Sequence, residues 1–217
     1  MKKGILFDLD GTLWDSSNAV TDSWNVKIEE FPEIKDKLTY EQMRGYMGKT
    51  MDEIAYACFH QVSKERALEL LHICTEYENE YIEKHGGILY DGVEEVLAEL
   101  HKEYFLAIVS NCQMGYIEAF LEFHKLAQYF DDTENYGRTL LSKGENIKLV
   151  VERNALTEAV YVGDIMGDYN STMEAGLPFI HAAYGFGQVP EGTPRITDIR
   201  QLPQRAKEVF ENIRKNA

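Results

Sequence analysis

A series of short apolar segments constrains the fold most strongly. The segments lie at 4–7, 105–109, 159–162 and 179–183. Short continuous apolar runs are typical of parallel strands that are buried on both faces. Helical patterns separate the segments, so the chain is predicted to form an α/β fold with a doubly wound, Rossmann-like parallel sheet.

Polar side chains follow the first three segments directly. The first segment ends at Asp8, the second at Ser110 and Asn111, and the third at Gly163 and Asp164. Open α/β sheets bind their ligands beyond the carboxyl ends of the strands. The sequence therefore predicts that these side chains meet in one site.

Helix boundary signals support this order of elements. An apolar stripe follows Asp91, which is predicted to cap a helix that packs on the sheet. Ser142 and Glu145 form a predicted capping box, and Gly176 is predicted to end the helix after Gly167. The stripe consists of Val93, Val96, Leu97 and Leu100.

The alternation of strands and helices stops between residues 15 and 86, where only helical signals occur. Capping boxes begin at Thr39 and Thr50, and a long apolar helical pattern from Leu68 to Ile82 can end at Gly86. We therefore predict an α/β core formed by residues 1–14 and 87–217, with residues 15–86 inserted as a helical domain.

Composition excludes several classes of partner. The chain has 22 Lys and Arg against 37 Asp and Glu, a net charge of −15. Such a surface argues against binding nucleic acid or an anionic membrane, because both need clustered basic residues. Cys58, Cys74 and Cys112 are predicted to be free thiols, and no signal peptide or membrane span is visible. These observations predict a soluble cytoplasmic protein.

The segment Asp8-Leu9-Asp10-Gly11-Thr12 carries the most informative pair of carboxylates. Asp8 could attack an electrophilic phosphorus, while Asp10 could protonate the leaving oxygen and later deprotonate water. A carboxylate that attacks a phosphate dianion meets repulsion between like charges, so the chemistry requires a cation. Mg²⁺ held by carboxylate and carbonyl oxygens meets this requirement.

Other strand-end residues match the same chemistry. Asp164 and Asp168 can supply further oxygen ligands for the metal, and Ser110 and Asn111 can hydrogen-bond phosphate oxygens. Lys143 can hold a nonbridging oxygen and stabilise charge during phosphoryl transfer. Thr12 is predicted to bind phosphate with these residues.

The sequence resembles the haloacid dehalogenase (HAD) superfamily of phosphatases over nearly its whole length. Its four motifs correspond here to 5–12, 109–111, Lys143 and 163–168. The resemblance implies that Asp8 is the nucleophile and Asp10 the acid/base. It further implies that Mg²⁺ is bound by Asp8, the Asp10 backbone carbonyl and Asp164, with Asp168 nearby. Residues 15–86 look like the cap domain of the phosphoglycolate phosphatase-like and β-phosphoglucomutase-like subgroup.

Three reactions of this family can be compared. A dehalogenase needs no acid/base group two positions after its nucleophile, where this chain has Asp10. The β-phosphoglucomutase pattern has Val or Ile at the position that Thr12 occupies here, and a His at the position of Val20. The sequence thus favours a Mg²⁺-dependent phosphatase that acts on a small phosphorylated metabolite, with phosphoglycolate one candidate. A sugar-phosphate mutase and a phospho-accepting signalling domain remain alternatives.

Residues 44–50 resemble the glycine-containing cap loop that faces the active site in the same subgroup. Lys49 or Arg44 could pair with a carboxylate or a second phosphate of the substrate, although either residue could equally be solvated. Lys49 is predicted as a substrate contact. The sequence predicts neither the physiological substrate nor the oligomeric state.

Overall fold

The computed structural model describes residues 2–216. A six-stranded sheet forms the centre of the fold, and its order is β5-β4-β1-β6-β7-β8 with every pair parallel. The strands are β1 (Lys3–Phe7), β4 (Phe105–Ser110), β5 (Asp132–Asn135), β6 (Glu158–Gly163), β7 (Phe179–Ala182) and β8 (Arg195–Ile196). The predicted α/β fold with a doubly wound parallel sheet is confirmed.

Two short strands form a second, antiparallel sheet where the helical segment leaves and rejoins the core. They are β2 (Trp14–Asp15) and β3 (Ile88–Leu89), in which Trp14 pairs with Leu89. The strand β2 extends by one residue into the segment that was predicted to be wholly helical. This small sheet holds the two connections side by side.

Among the residues that the structure describes, four helices lie between β2 and β3 and six lie after β3. The first four are α1 (Ser17–Ile28), α2 (Tyr40–Arg44), α3 (Met51–Cys58) and α4 (Lys64–His85). The others are α5 (Val93–Leu100), α6 (Tyr116–His124), α7 (Tyr136–Thr139), α8 (Lys143–Arg153), α9 (Met166–Ala175) and α10 (Leu202–Asn216).

The central strand β1 is buried on both faces, as its continuous apolar sequence predicts. Ile5 and Phe7 face one hydrophobic cluster, and Leu6 faces another on the opposite side of the sheet. Because alternate side chains point to opposite faces, a strand between two helical layers needs an apolar residue at every position. Asp8 is the first residue beyond this apolar strand.

The four helices between β2 and β3 bury their apolar side chains in the same hydrophobic cluster as one face of the sheet. The long helix α4 buries Leu70, Cys74 and Ile82 completely, and Trp24 of α1 stacks on Phe59 with ring centroids 5.9 Å apart.

The cysteines Cys58, Cys74 and Cys112 are buried free thiols, as predicted. No helix within residues 2–216 combines the length and the apolar composition needed to cross a membrane.

Most local boundary signals are confirmed, and one is wrong. The three predicted capping boxes form at Thr39, Thr50 and Ser142, and the helices α4 and α9 end at Gly86 and Gly176. The cap of α5 is not Asp91 but Gly92, whose φ of 88° lies in the left-handed region that glycine adopts most easily. The turn conformation thus displaces the Asp side chain from the capping position.

Candidate active site

The carboxyl ends of three adjacent strands bring the candidate residues together. Phe7 pairs with Ile108 of β4 and with Val162 of β6, so Asp8 lies between the ends of those two strands. The Asp8 amide also donates to the carbonyl of Val162 at 2.8 Å. Since all three strands run parallel, the polar residues that follow them share one edge of the sheet.

A buried ion-pair triad lies at this edge. The Lys143 ammonium donates to Asp8 Oδ1 at 2.8 Å and to Asp168 Oδ1 at 2.5 Å. The side chains of all three residues are at most 2% exposed. Burial alone would lower the pKa of Lys143, but the charges of Asp168 and Asp8 hold that pKa well above its ordinary value. The ammonium therefore stays charged.

Asp168 also organises the loop after β6. Its Oδ2 accepts the backbone amides of Asp164 at 3.0 Å and Ile165 at 3.1 Å. Both oxygens of Asp168 are thus used, one by Lys143 and one by the loop. This bonding suits Asp168 to positioning Lys143 and Asp164.

Two glycines allow backbone to approach Asp164 closely. The amide of Phe186 donates to Asp164 Oδ2 at 2.7 Å. A Cβ at Gly11 or at Gly185 would overlap the Asp164 carboxylate, and Gly11 also has a φ of +82°. Glycine is therefore needed at both positions for this loop to surround the carboxylate.

The carboxylates of Asp8, Asp164 and Asp168 fit a divalent cation. One oxygen from each lies within 4.8 Å of the others, and Asp8 Oδ2 and Asp164 Oδ1 are buried without a hydrogen-bond partner among residues 2–216. Burial, followed by the charge of Asp168, raises the pKa of Asp8 to about 7 and that of Asp164 to about 9. A cation would supply the missing partner for both oxygens and favour their ionised forms.

Asp10 lies in the same pocket as Asp8 but has different partners. Its Oδ1 accepts from the Ser16 hydroxyl at 2.5 Å and from the Tyr116 hydroxyl at 2.9 Å. Burial raises the pKa of Asp10, while these two hydrogen bonds oppose the rise. A carboxyl group with a raised pKa is suited to donate a proton near neutral pH. The sequence reasoning did not identify Ser16 or Tyr116.

The predicted phosphate-binding residues occupy different positions around this pocket. Ser110 and Asn111 line it, and Asn111 Nδ2 donates to the carbonyl of Gly48 at 3.2 Å. The Thr12 hydroxyl is buried and has no hydrogen-bond partner in the described part of the chain, while the Thr12 carbonyl accepts from the Tyr184 hydroxyl at 2.8 Å. Phosphate binding by these three residues stays a prediction.

The two basic residues of the 44–50 loop, Arg44 and Lys49, have different surroundings. Lys49 lines the pocket, and its ammonium lies 5.3 Å from the ring centroid of Tyr46. Arg44 instead pairs with Asp15 at 3.4 Å and lies over the ring of Phe186. Only Lys49 of this pair is therefore placed to meet a substrate in the pocket.

The pocket also contains a buried glutamate that the sequence reasoning missed. Glu78 of α4 is 4% exposed and lines the pocket with Gln113. Its position on the apolar face of α4, at the spacing of Leu71, Thr75 and Ile82, was the available signal.

Comparison with known proteins agrees with this arrangement. The family model described as "Haloacid dehalogenase-like hydrolase" matches residues 5–182. The chain belongs to this family. The part of the chain that the HAD-like hydrolase family model matches includes the candidate residues from Asp8 to Asp168. The resemblance based on the sequence motifs is therefore confirmed.

Relatives and solved structures extend this result. The phosphoglycolate phosphatase of Vibrio vulnificus (strain CMCP6) is 30% identical over 198 residues, which cover 85% of each chain. A haloacid dehalogenase-like family hydrolase from Streptococcus pneumoniae has a TM-score of 0.79 at 21% identity and covers 94% of this chain and 97% of its own. CbbY from Rhodobacter sphaeroides, solved with phosphate, has a TM-score of 0.78 at 20% identity and covers 93% of this chain and 96% of its own. The two solved structures support the fold.

The family and its curated relatives together identify this HAD-like hydrolase as a phosphatase, an enzyme that hydrolyses phosphoric monoesters. The prediction of the enzyme class is thereby confirmed.

Proposed function

We propose that this phosphatase is Mg²⁺-dependent and hydrolyses a small phosphorylated metabolite through an aspartyl-phosphate on Asp8. The observation that carries the proposal is the buried contact between Lys143 and Asp8, with Asp10 in the same pocket. A nucleophile, a fixed positive charge and a separate acid/base are the groups that phosphoryl transfer through an enzyme carboxylate requires.

In the first half of the reaction, a carboxylate oxygen of Asp8 attacks the phosphorus. Lys143 donates to the same carboxylate, so its positive charge lies beside the reacting group. A bond forms between the Asp8 oxygen and phosphorus while the bond from phosphorus to the leaving oxygen breaks. Protonated Asp10 gives its proton to that leaving oxygen, which departs as an alcohol.

In the second half, Asp10 acts in the opposite direction. As a carboxylate, it takes a proton from water while the water oxygen attacks the phosphorus, and the bond to Asp8 breaks. Inorganic phosphate leaves and Asp8 is regenerated. The hydroxyls of Ser16 and Tyr116 hold Asp10 Oδ1 throughout, which orients the carboxyl group for both proton transfers.

Mg²⁺ would be held by Asp8, Asp164 and the Asp10 backbone carbonyl, with Asp168 as an adjacent carboxylate. When bound, it would screen the negative charges of the phosphate and the carboxylates from one another. The unpartnered oxygens of Asp8 and Asp164 support this assignment. Asp168 contributes by holding Lys143 and the loop amides, as its hydrogen bonds suggest.

Residues 15–86 would act as the cap, and residues 1–14 and 87–217 as the catalytic core. The hydrogen bond from Asn111 to Gly48 supports this division, because it joins the end of β4 to the 44–50 loop above the site. A cap in this position would exclude water and supply contacts for the leaving group.

Hydrolysis is favoured over mutase chemistry. The β-phosphoglucomutase pattern has a His where Val20 stands, and Val20 is an apolar part of the pocket wall here. A signalling domain is also disfavoured, because Asp10 beside Asp8 would promote loss of the phosphoryl group. Phosphoglycolate is one compound to test, since several relatives are named for its hydrolysis.

The test is hydrolysis of p-nitrophenyl phosphate with and without Mg²⁺. Asp8→Asn should abolish turnover, because an amide cannot serve as the covalent nucleophile. Asp91→Asn replaces an exposed Asp in the turn before α5 and should leave turnover unchanged. Wild-type rates for folded Asp8→Asn, or equal rates in EDTA, would contradict the proposal.

A further inference from the structure

The wall of the pocket beyond Asp8 and Asp10 is mainly apolar. It is lined by Val20, Met43, Met47, Met51 and Ile54. A bound leaving group that carries a second anion would lose hydration against this wall with few donors to replace the lost water. The wall therefore favours a leaving group with an apolar body.

Glu78 interrupts this apolar lining. Its Oε2 accepts from the indole N–H of Trp24, and its Oε1 accepts from Gln113 Nε2 at 3.0 Å. Both donors are neutral side chains. Each carboxylate oxygen can accept a second hydrogen bond, so a substrate donor can still be received.

Glu78 lacks a positive partner in the part of the chain that the structure describes. No nitrogen of Lys, Arg or His within residues 2–216 lies within 4.0 Å of its carboxylate. Lys49, on the exposed side of the pocket, lies against Tyr46 instead. Buried charges in proteins are normally paired, and burial raises the pKa of Glu78 to about 7. A bound cation would complete the pair and keep Glu78 ionised.

We propose that Glu78 determines substrate specificity by binding an ammonium group at the far end of the leaving group. The preferred substrates are then phosphate monoesters of amino alcohols with an apolar body, and leaving groups that end in a carboxylate or second phosphate are disfavoured. This inference rests on the proposed phosphatase function, and it makes esters whose leaving group carries a carboxylate, such as phosphoglycolate, poor substrates.

The test compares three series of substrates that differ only at the far end. They are ω-aminoalkyl, n-alkyl and ω-carboxyalkyl phosphates with two to five carbons, each assayed for kcat/KM with Mg²⁺. At the best chain length the amine should exceed the alkyl compound by about 10- to 100-fold, the factor expected for one charge-assisted hydrogen bond. The carboxylate series should be the poorest.

The variant Glu78→Gln keeps the size of the side chain and removes its charge. The ratio of kcat/KM for the amine over the alkyl compound should fall to within about threefold of one, since a neutral amide is a weak partner for ammonium. A purely structural role would lower both values together and leave their ratio unchanged. Glu83→Gln, at an exposed position of the same helix, is the matched control and should keep the wild-type ratio.

Binding to Asp8→Asn protein separates this inference from the proposed function. Titration calorimetry with Mg²⁺ should give a lower Kd for the aminoalkyl than for the alkyl phosphate, and Glu78→Gln in the same background should remove the difference. An equal Kd for both, or a preference for an ω-hydroxyalkyl phosphate over the amine, would overturn the role of Glu78. If the binding preference is present but none of the three series is hydrolysed, the result contradicts the phosphatase mechanism and not the role of Glu78.

Discussion

Replacing Lys143 by Met would remove one positive charge from between two buried carboxylates while nearly preserving side-chain length. The ammonium donates at 2.8 Å to Asp8 and at 2.5 Å to Asp168, and all three groups are buried. A hydrogen bond to a charged group contributes about 1.5–3 kcal/mol, and removing one partner of a buried ion pair costs about 3–5 kcal/mol. We expect the free energy of unfolding to fall by about 3–5 kcal/mol.

The loss can be measured by urea unfolding at pH 7 in EDTA. Trp14 and Trp24 are both buried, so their fluorescence reports loss of the core and of the helical segment. Lys148→Met is the matched control, because Lys148 is exposed on the same helix and should contribute little. Adding Asp168→Asn to Lys143→Met should recover part of the stability, since it removes one of the two unpaired charges.

The pH dependence provides a further check on the cause. Without Lys143, the charge of Asp168 still raises the pKa of Asp8 while the opposing positive charge is gone, so Asp8 takes up a proton more readily. The stability loss should therefore shrink as the pH falls below about 7 and grow toward pH 8. A loss under about 1 kcal/mol at pH 7, or a loss independent of pH, would refute the reasoning from a buried, charged triad.

Four other outcomes are expected. Asp10→Asn should slow both halves of the cycle and make phosphoenzyme accumulate with an activated substrate; rapid quenching that finds normal turnover and no accumulation would contradict its role. EDTA should abolish hydrolysis, and Mg²⁺ should raise the Tm of wild-type protein more than that of Asp164→Asn. Any turnover of phosphoglycolate should fall about 10- to 100-fold in Lys49→Ala while an aryl phosphate is nearly unaffected; equal losses would indicate a role in cap closure. Burial raises the pKa of Glu78 from 4.5 to about 7, so the folded protein binds the carboxyl proton of Glu78 more tightly than the unfolded protein does. The contribution of Glu78 to the free energy of unfolding therefore falls as the pH rises from 4.5 to about 7. Urea unfolding between pH 5 and 8 should show that Glu78→Gln removes this part of the fall in the free energy of unfolding with pH. An unchanged pH dependence would refute the raised pKa of Glu78.

Local patterns predicted the central strands and several helix boundaries well. The strands β1, β4 and β6 are recognisable because two-sided burial requires unbroken apolar runs. The strand β5 was missed because its sequence Asp-Thr-Glu-Asn contains no apolar residue. It lies at the edge of the sheet, where Arg153 pairs with Asp132 and Glu134. The two-residue strand β8 is too short to give any periodic signal.

The sequence by itself determined the order of the elements and the polar ends of the central strands, because apolar periodicity and capping act within a few residues. The tertiary structure alone decided which side chains surround those ends. Tyr116 contacts Asp10 across 106 positions, and Gln113 contacts Glu78 across 35. In the sequence, Glu78 is one acidic residue among many on a helix. Its spacing from Leu71 and Ile82 places it on the apolar face of the helix, but only the packing of that helix puts it in the pocket with no basic partner among residues 2–216.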